Sequence, residues 1–154
     1  MRTMRNTISL VDKQLSESFS HPVEWVWISK KYLEWTAAFR IGTVTYLVSV
    51  YLVNSTMDKW EISFTAQTPE KDHGHQRAGT GNAWKVFGTV IAITRAFMEA
   101  KAPETIFIDN DDPKRFIVNK RLAEEAVAGS ADYHLDIDEE DNAICIRKNE
   151  TDVQ

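Results

Sequence analysis

Cysteine is almost missing from this chain: Cys145 is the only one in 154 residues. A lone cysteine excludes an intrachain disulfide and fits a reducing compartment, so the expected location is cytoplasmic. Long apolar runs are missing too. None approaches the about 18 residues that cross a bilayer as a helix. The opening Met1-Arg2-Thr3-Met4-Arg5 has no apolar stretch behind it to make a secretory leader, so no membrane association is expected. Positive charge is in deficit. Eighteen Lys and Arg against 23 Asp and Glu leave a formal net charge of −5, which argues against a broad nucleic-acid surface. Glycine is scarce at six residues, and Gly74, Gly79 and Gly81 fall in one stretch, which singles that stretch out.

What the chain does have is period-two patterning. Val23, Trp25 and Trp27 alternate with other residues, as do Leu33 to Ile41, Val44 to Leu52 and Trp60 to Ala66. Four such runs with short connections predict an antiparallel meander. The third run also carries Leu47, Tyr51 and Val53 on its second side, which predicts a central strand covered on both faces. Residues 83–101 have a wide apolar stripe (Val86, Phe87, Val90, Ile91, Phe97, Met98) and predict a helix lying on a sheet, ended by Pro103. Thr105 to Ile108 reads as a short buried strand. Asp111-Asp112-Pro113 starts a second helix that stops at Gly129, and Tyr133 to Ile137 and Ala143 to Arg147 close the chain as two strands. A strand-helix-strand passage at the centre requires one parallel pairing.

The organisation is an arm or short helix over 1–20, with Ile8, Val11, Leu15 and Phe19 at helical spacing, one domain over 21–148, and a polar tail over 149–154. The expected class is α+β: a mixed, mostly antiparallel sheet with flanking helices in the order α-β-β-β-β-α-β-α-β-β.

The stretch that carries chemistry is Gln76-Arg77-Ala78-Gly79-Thr80-Gly81-Asn82, between the fourth strand and the strongest helix. Glycines at 79 and 81 let the backbone turn and a ligand approach closely. Free amides at a helix start, with the helix dipole behind them, favour an anion such as a pyrophosphate, and Arg77 would add a charge. The same residues also suit a plain tight turn. It is not a Walker motif, because no Gly-Lys-Ser/Thr follows. Other residues read more simply. Asn110 sits in Asp109-Asn110-Asp111-Asp112, which is turn chemistry or a ligand hydrogen bond. Asp136-x-Asp138-x-Glu140 lacks the glycine of a calcium loop and reads as an acidic hairpin turn. His73 and His75 have no second ligand pair nearby, so no metal is expected.

Gln76-x-x-Gly79-x-Gly81 resembles the pyrophosphate loop of the GNAT superfamily of N-acetyltransferases. That resemblance implies a GNAT-like fold over about residues 33–148, acetyl-CoA as cofactor, and an amine as acceptor, either a small molecule or a protein. It implies that Gln76, Arg77, Ala78, Gly79, Thr80, Gly81, Asn82 and Asn110 contact the cofactor. It also implies that Glu61, on the strand before the loop, serves as base. The family often has a tyrosine acid in the last helix. Here that position is Asn119, which leaves Tyr133 as the substitute.

A second likeness runs through Gly79-Thr80-Gly81-Asn82-Ala83, Val86-Phe87, Pro103 and Arg121-Leu122, with Trp60-Glu61-Ile62-Ser63-Phe64. These segments resemble small tailed-phage proteins. Met4 to Glu17 is similar to the targeting peptides of proteins packaged in phage heads, with Leu15-Ser16-Glu17 as the cleavage site. The phage likeness implies either an acyltransferase in the host cytoplasm or a non-catalytic protein. The latter would sit in the virion or bind other phage or host proteins.

Overall fold

The alternating runs pair into one seven-stranded sheet in the computed structural model, which describes residues 22–67, 80–108 and 113–150. The elements are β1 (Trp25–Lys30), β2 (Glu34–Ile41), β3 (Val44–Asn54), β4 (Lys59–Gln67), α1 (Thr80–Lys101), β5 (Thr105–Ile108), α2 (Pro113–Val127), β6 (Tyr133–Asp138) and β7 (Ala143–Lys148). The sheet order is β1-β2-β3-β4-β5-β7-β6. Short connections make β1 to β4 a meander. The turn between β2 and β3 uses Gly42 at φ 63°, a left-handed conformation that costs glycine little. The α1 crossover makes β4 and β5 parallel, as the strand-helix-strand reading requires, and every other pairing is antiparallel.

The register divides the side chains between two unlike faces. Trp35, Val50, Ile62, Ile108 and Ile144 face inward, with Val48, Trp60, Ile106 and Ile146 beside them. The helices lie on this face. Phe97 of α1 meets Trp35 and Trp60 edge-on at 5.3 and 5.0 Å, and Phe87 meets Phe64 at 6.1 Å. Leu122, Ala123 and Ala126 of α2 join the same core. Thr89 and Thr94 are fully buried in α1, and their hydroxyls donate back to Lys85 O at 2.7 Å and Val90 O at 2.8 Å. Arg95 ties the helices together. Its Nε donates to Ala126 O at 3.4 Å and its Nη2 to Glu125 O, which satisfies carbonyls at the end of α2.

The outer face is different. Thr36, Ser49 and Ser63 form one row across β2 to β4; Glu34, Tyr51, Glu61, Phe107, Cys145 and Asp136 form the next. No helix covers this face among the described residues, so the second side of β3 is not packed under an element as its sequence suggested. Val53 there is exposed.

The expected GNAT-like class with flanking helices is therefore corrected. Among the described residues there are seven strands and two helices, more chain lies in strands than in helices, and both helices sit on one face in contact with each other. The physical reason is that the buried residues of both described helices pack on the one face of the sheet that is apolar throughout. The other face mixes Thr36, Ser49, Ser63, Glu34, Glu61 and Asp136 with Tyr51, Phe107 and Cys145. The helix expected within 1–20 and the tail beyond Glu150 lie outside the described residues.

The end of the sheet where β4 starts is locked by Asp58. Its backbone is left-handed at φ 52°. Its carboxylate accepts the Trp60 indole N–H at 2.9 Å and the Glu104 backbone N–H at 3.1 Å. Trp60 is only 2% exposed, so without Asp58 its N–H loses its acceptor inside the core. Asp58→Ala should lower unfolding stability by about 2 kcal/mol, and Asp58→Asn, which keeps one acceptor oxygen and tolerates the left-handed backbone, by clearly less. Urea denaturation reads both. Equal midpoints for wild type and Asp58→Ala would refute the role assigned to this carboxylate.

Candidate functional site

β4 extends beyond its described pairing with β5, and this stretch is the candidate site. β4 and β5 pair from Lys59↔Thr105 to Ile62↔Ile108, the last of their described pairs. β4 runs on through Ser63–Gln67, still bonded to β3 on one side. On its other side that stretch has no partner strand among the described residues. The carboxyl end of parallel strands is where open sheets with crossover helices take up ligands.

α1 brings its first turn to this same end. It runs antiparallel to β4, with Phe97 over Trp60 at the strand's start and Phe87 against Phe64 near its finish. Trp84 is half-exposed beside Phe87 at 6.4 Å. The first turn contains no acidic residue to compensate the amides and the dipole. α2 also begins at this end, after β5.

Glu61 sits one residue before the last β4–β5 pair, half-buried on the outer face between Tyr51 and Phe107. It is thus at the fork where the two strands part, on the side of the sheet away from α1. Lys59 lies over the Phe107 ring at 5.2 Å, so a cation already occupies part of that surface.

Tyr133 is elsewhere. It begins β6, opposite Lys148, on the inner face, and its hydroxyl donates to Pro103 O at 2.7 Å, just past the C-terminus of α1. The structure does not bring Tyr133 and Glu61 together. Burial pushes the Tyr133 phenol up to about 12, with the negative charges of Glu104, Asp132 and Asp58 adding to the effect. A phenol so held stays protonated and is a poor proton donor to a distant thiolate.

Of the expected cofactor contacts, Thr80, Gly81 and Asn82 form the first turn of α1, which starts three residues earlier than the apolar stripe at 83 indicated. Gln76, Arg77, Ala78, Gly79 and Asn110 lie outside the described residues, as do His73 and His75. The acidic stretch after β6 is a turn: Asp138 Oδ1 accepts the N–H groups of Glu140 at 3.0 Å and Asp141 at 3.3 Å. Among the described residues no group of three or more His, Cys, Asp or Glu could hold a metal ion. No described helix is long and apolar enough to cross a membrane. Cys145 is buried in the outer row, and burial raises its thiol pKa against the opposing pull of Arg147 and Lys59. That keeps it a thiol, unsuited to nucleophilic work.

The stretch of β4 beyond its pairs with β5 was not singled out in the sequence. No protein-family model, no curated protein and no solved structure matches the chain.

Tyr133 offers a direct check. Its folded pKa lies above the ordinary value of 10.0, so its protonated form favours the folded state below pH 10, and that contribution is lost as pH climbs through about 12. In a spectrophotometric titration one of the four tyrosines should ionise late, near pH 12, and Tyr133→Phe should remove that phase. A late phase that survives in the variant would assign it to another tyrosine.

Proposed function

We propose that the chain binds an acyl-coenzyme A at the fork of β4 and β5 and transfers its acyl group to an amine, in the cytoplasm of a phage-infected cell. The observation that carries the reading is the coincidence of three features at one end of the sheet: a stretch of β4 with no partner strand on one side among the described residues, a helix first turn free of acidic residues, and Glu61 at the fork. The glycine-rich sequence leading into α1 would place the cofactor's pyrophosphate on the first-turn amides. The extended pantetheine arm can then bond to the free edge of β4, as an added strand would.

Each atom of the reaction has a place to go. The amine nitrogen attacks the thioester carbonyl, a C–N bond forms, and the C–S bond breaks. The nitrogen loses a proton to Glu61, directly or through one water. The departing thiolate takes its proton from solvent, because Tyr133 is held by Pro103 O at the far end of the sheet. No covalent enzyme intermediate is needed, and Cys145 takes no part.

One observation favours a second reading, a non-catalytic protein of the virion or one that binds a host factor. Asn119 stands where a phenol would serve, and Tyr133 is committed elsewhere, so no tyrosine acid is at hand.

Coenzyme A at about a hundred times its dissociation constant should add roughly 2.7 kcal/mol of stability, read as a rise in melting temperature. Gly81→Val should weaken that rise. Glu61→Gln should leave it intact while cutting thiol release from acetyl-CoA, over a panel of amines, by about 10²–10⁴-fold. Binding without turnover on any amine would select the non-catalytic reading. Absence of any shift with coenzyme A would reject the site.

A further inference from the structure

The two margins of the sheet are built differently. β6 is protected: its exposed positions are His134, Asp136 and Asp138, and Glu139 and Glu140 follow. A second strand approaching it edge-on would meet charged side chains, with Asp136 paired to Arg147 at 2.7 Å and Glu139 to Lys120 at 3.5 Å, and charge is the usual defence of a sheet margin. β1 has no strand on its outer side among the described residues, and two of its three exposed side chains, Val26 and Ile28, are apolar, the third being Lys30 at its end. Val26 is 59% and Ile28 57% exposed, and Tyr32 and Leu33, in the turn that follows, are exposed as well. The strand is nevertheless held firmly from within. Trp25, Trp27 and Trp35 form an edge-on ladder at 5.3 and 5.1 Å that ends on Phe97. A rigid margin with exposed β-branched residues is a ready template for another strand.

The charges on β1 indicate which strand. Glu24 is exposed before its first residue, and Lys30 and Lys31 are exposed at its end. The segment is therefore negative at its head and positive at its tail. If two copies pair antiparallel about a two-fold axis near Trp27, the Glu24 end of each meets the Lys30 end of the other, and Val26 of each lies beside Ile28 of the other. Parallel pairing would set like charge against like. Pairing of β1 with β6 of another copy would not close and would grow without limit.

We propose that β1 is the seat of a two-fold homodimer, in which the β1 strands of two copies pair antiparallel and the sheet continues across the axis. The register slip between Trp27 and Ser29 shortens the available ladder. The interface is accordingly small and its formation depends on concentration. This inference does not rest on the acyltransferase reading.

Sedimentation velocity on the full chain, from low to high micromolar, should show a 17.6 kDa monomer converting to a dimer. Glu24→Lys and Lys30→Glu should each weaken association roughly tenfold, since these positions face one another across the axis and like charges directly opposite in a strand pair repel. The double variant, which swaps the signs, should return to within a few-fold of wild type. Val26→Lys should abolish the dimer, and because its side chain is exposed the melting temperature should not move. A monomer at every concentration would overturn the proposal and leave β1 to the chain's own residues 1–21. So would a dimer indifferent to these substitutions, or assembly that continues past two copies.

Discussion

Phe97 is the contact on which the rest of the molecule is arranged. It is fully buried and meets Trp35 and Trp60 edge-on, so one side chain of α1 grips two strands at once. Each such aromatic pair adds about 0.5–1.5 kcal/mol beyond the area it buries. The geometric consequence matters more than the energy. From Trp35 the ladder continues through Trp27 to Trp25 at the sheet margin. From Trp60 it passes to Asp58 and so to the connection before β5. Fixing Phe97 thus sets how far α1 slides along β4, and with it where the first turn of α1 ends up.

The two ends of the sheet have separate duties as a result. At the Asp58 end the connecting backbone is bonded almost throughout. Lys148 N–H donates to Glu104 O at 2.9 Å, Lys148 Nζ to Ala102 O at 3.1 Å, and Tyr133 to Pro103 O. These bonds let Ala102 hold a left-handed φ of 49° that alanine would otherwise avoid. The opposite end has both helix starts and the stretch of β4 that is bonded to β3 but has no partner strand on its other side among the described residues.

Much of this was legible in the residues, and the failures have identifiable causes. Strict alternation located the strands, because one face of each is buried and a slip of one residue would expose the tryptophans. The apolar stripe from Val86 to Met98 located α1, and the strand-helix-strand order required the parallel pair. The flanking helical layer was misjudged because Leu47, Tyr51 and Val53 look like a second buried face when β3 is read alone. Its own Ser49 and the neighbouring Thr36 and Ser63 only become a row once register is known. Tyr133 was expected as the acid because the helix position reads Asn119. The hydrogen bond its hydroxyl donates to Pro103 O, thirty residues away in sequence, is announced by no local pattern.

The division of the sheet into a helical face and a bare one also constrains the proposed chemistry. Glu61 is on the bare face, whereas α1 is on the other. A ligand anchored on the first turn of α1 can meet Glu61 only by passing between β4 and β5, and it can do so only where they no longer pair. Among the described residues that place begins beyond the Ile62↔Ile108 pair, where β4 runs on to Gln67 bonded to β3. The proposed acyl transfer therefore depends on the backbone of β4 past Ile62 rather than on any single reactive side chain.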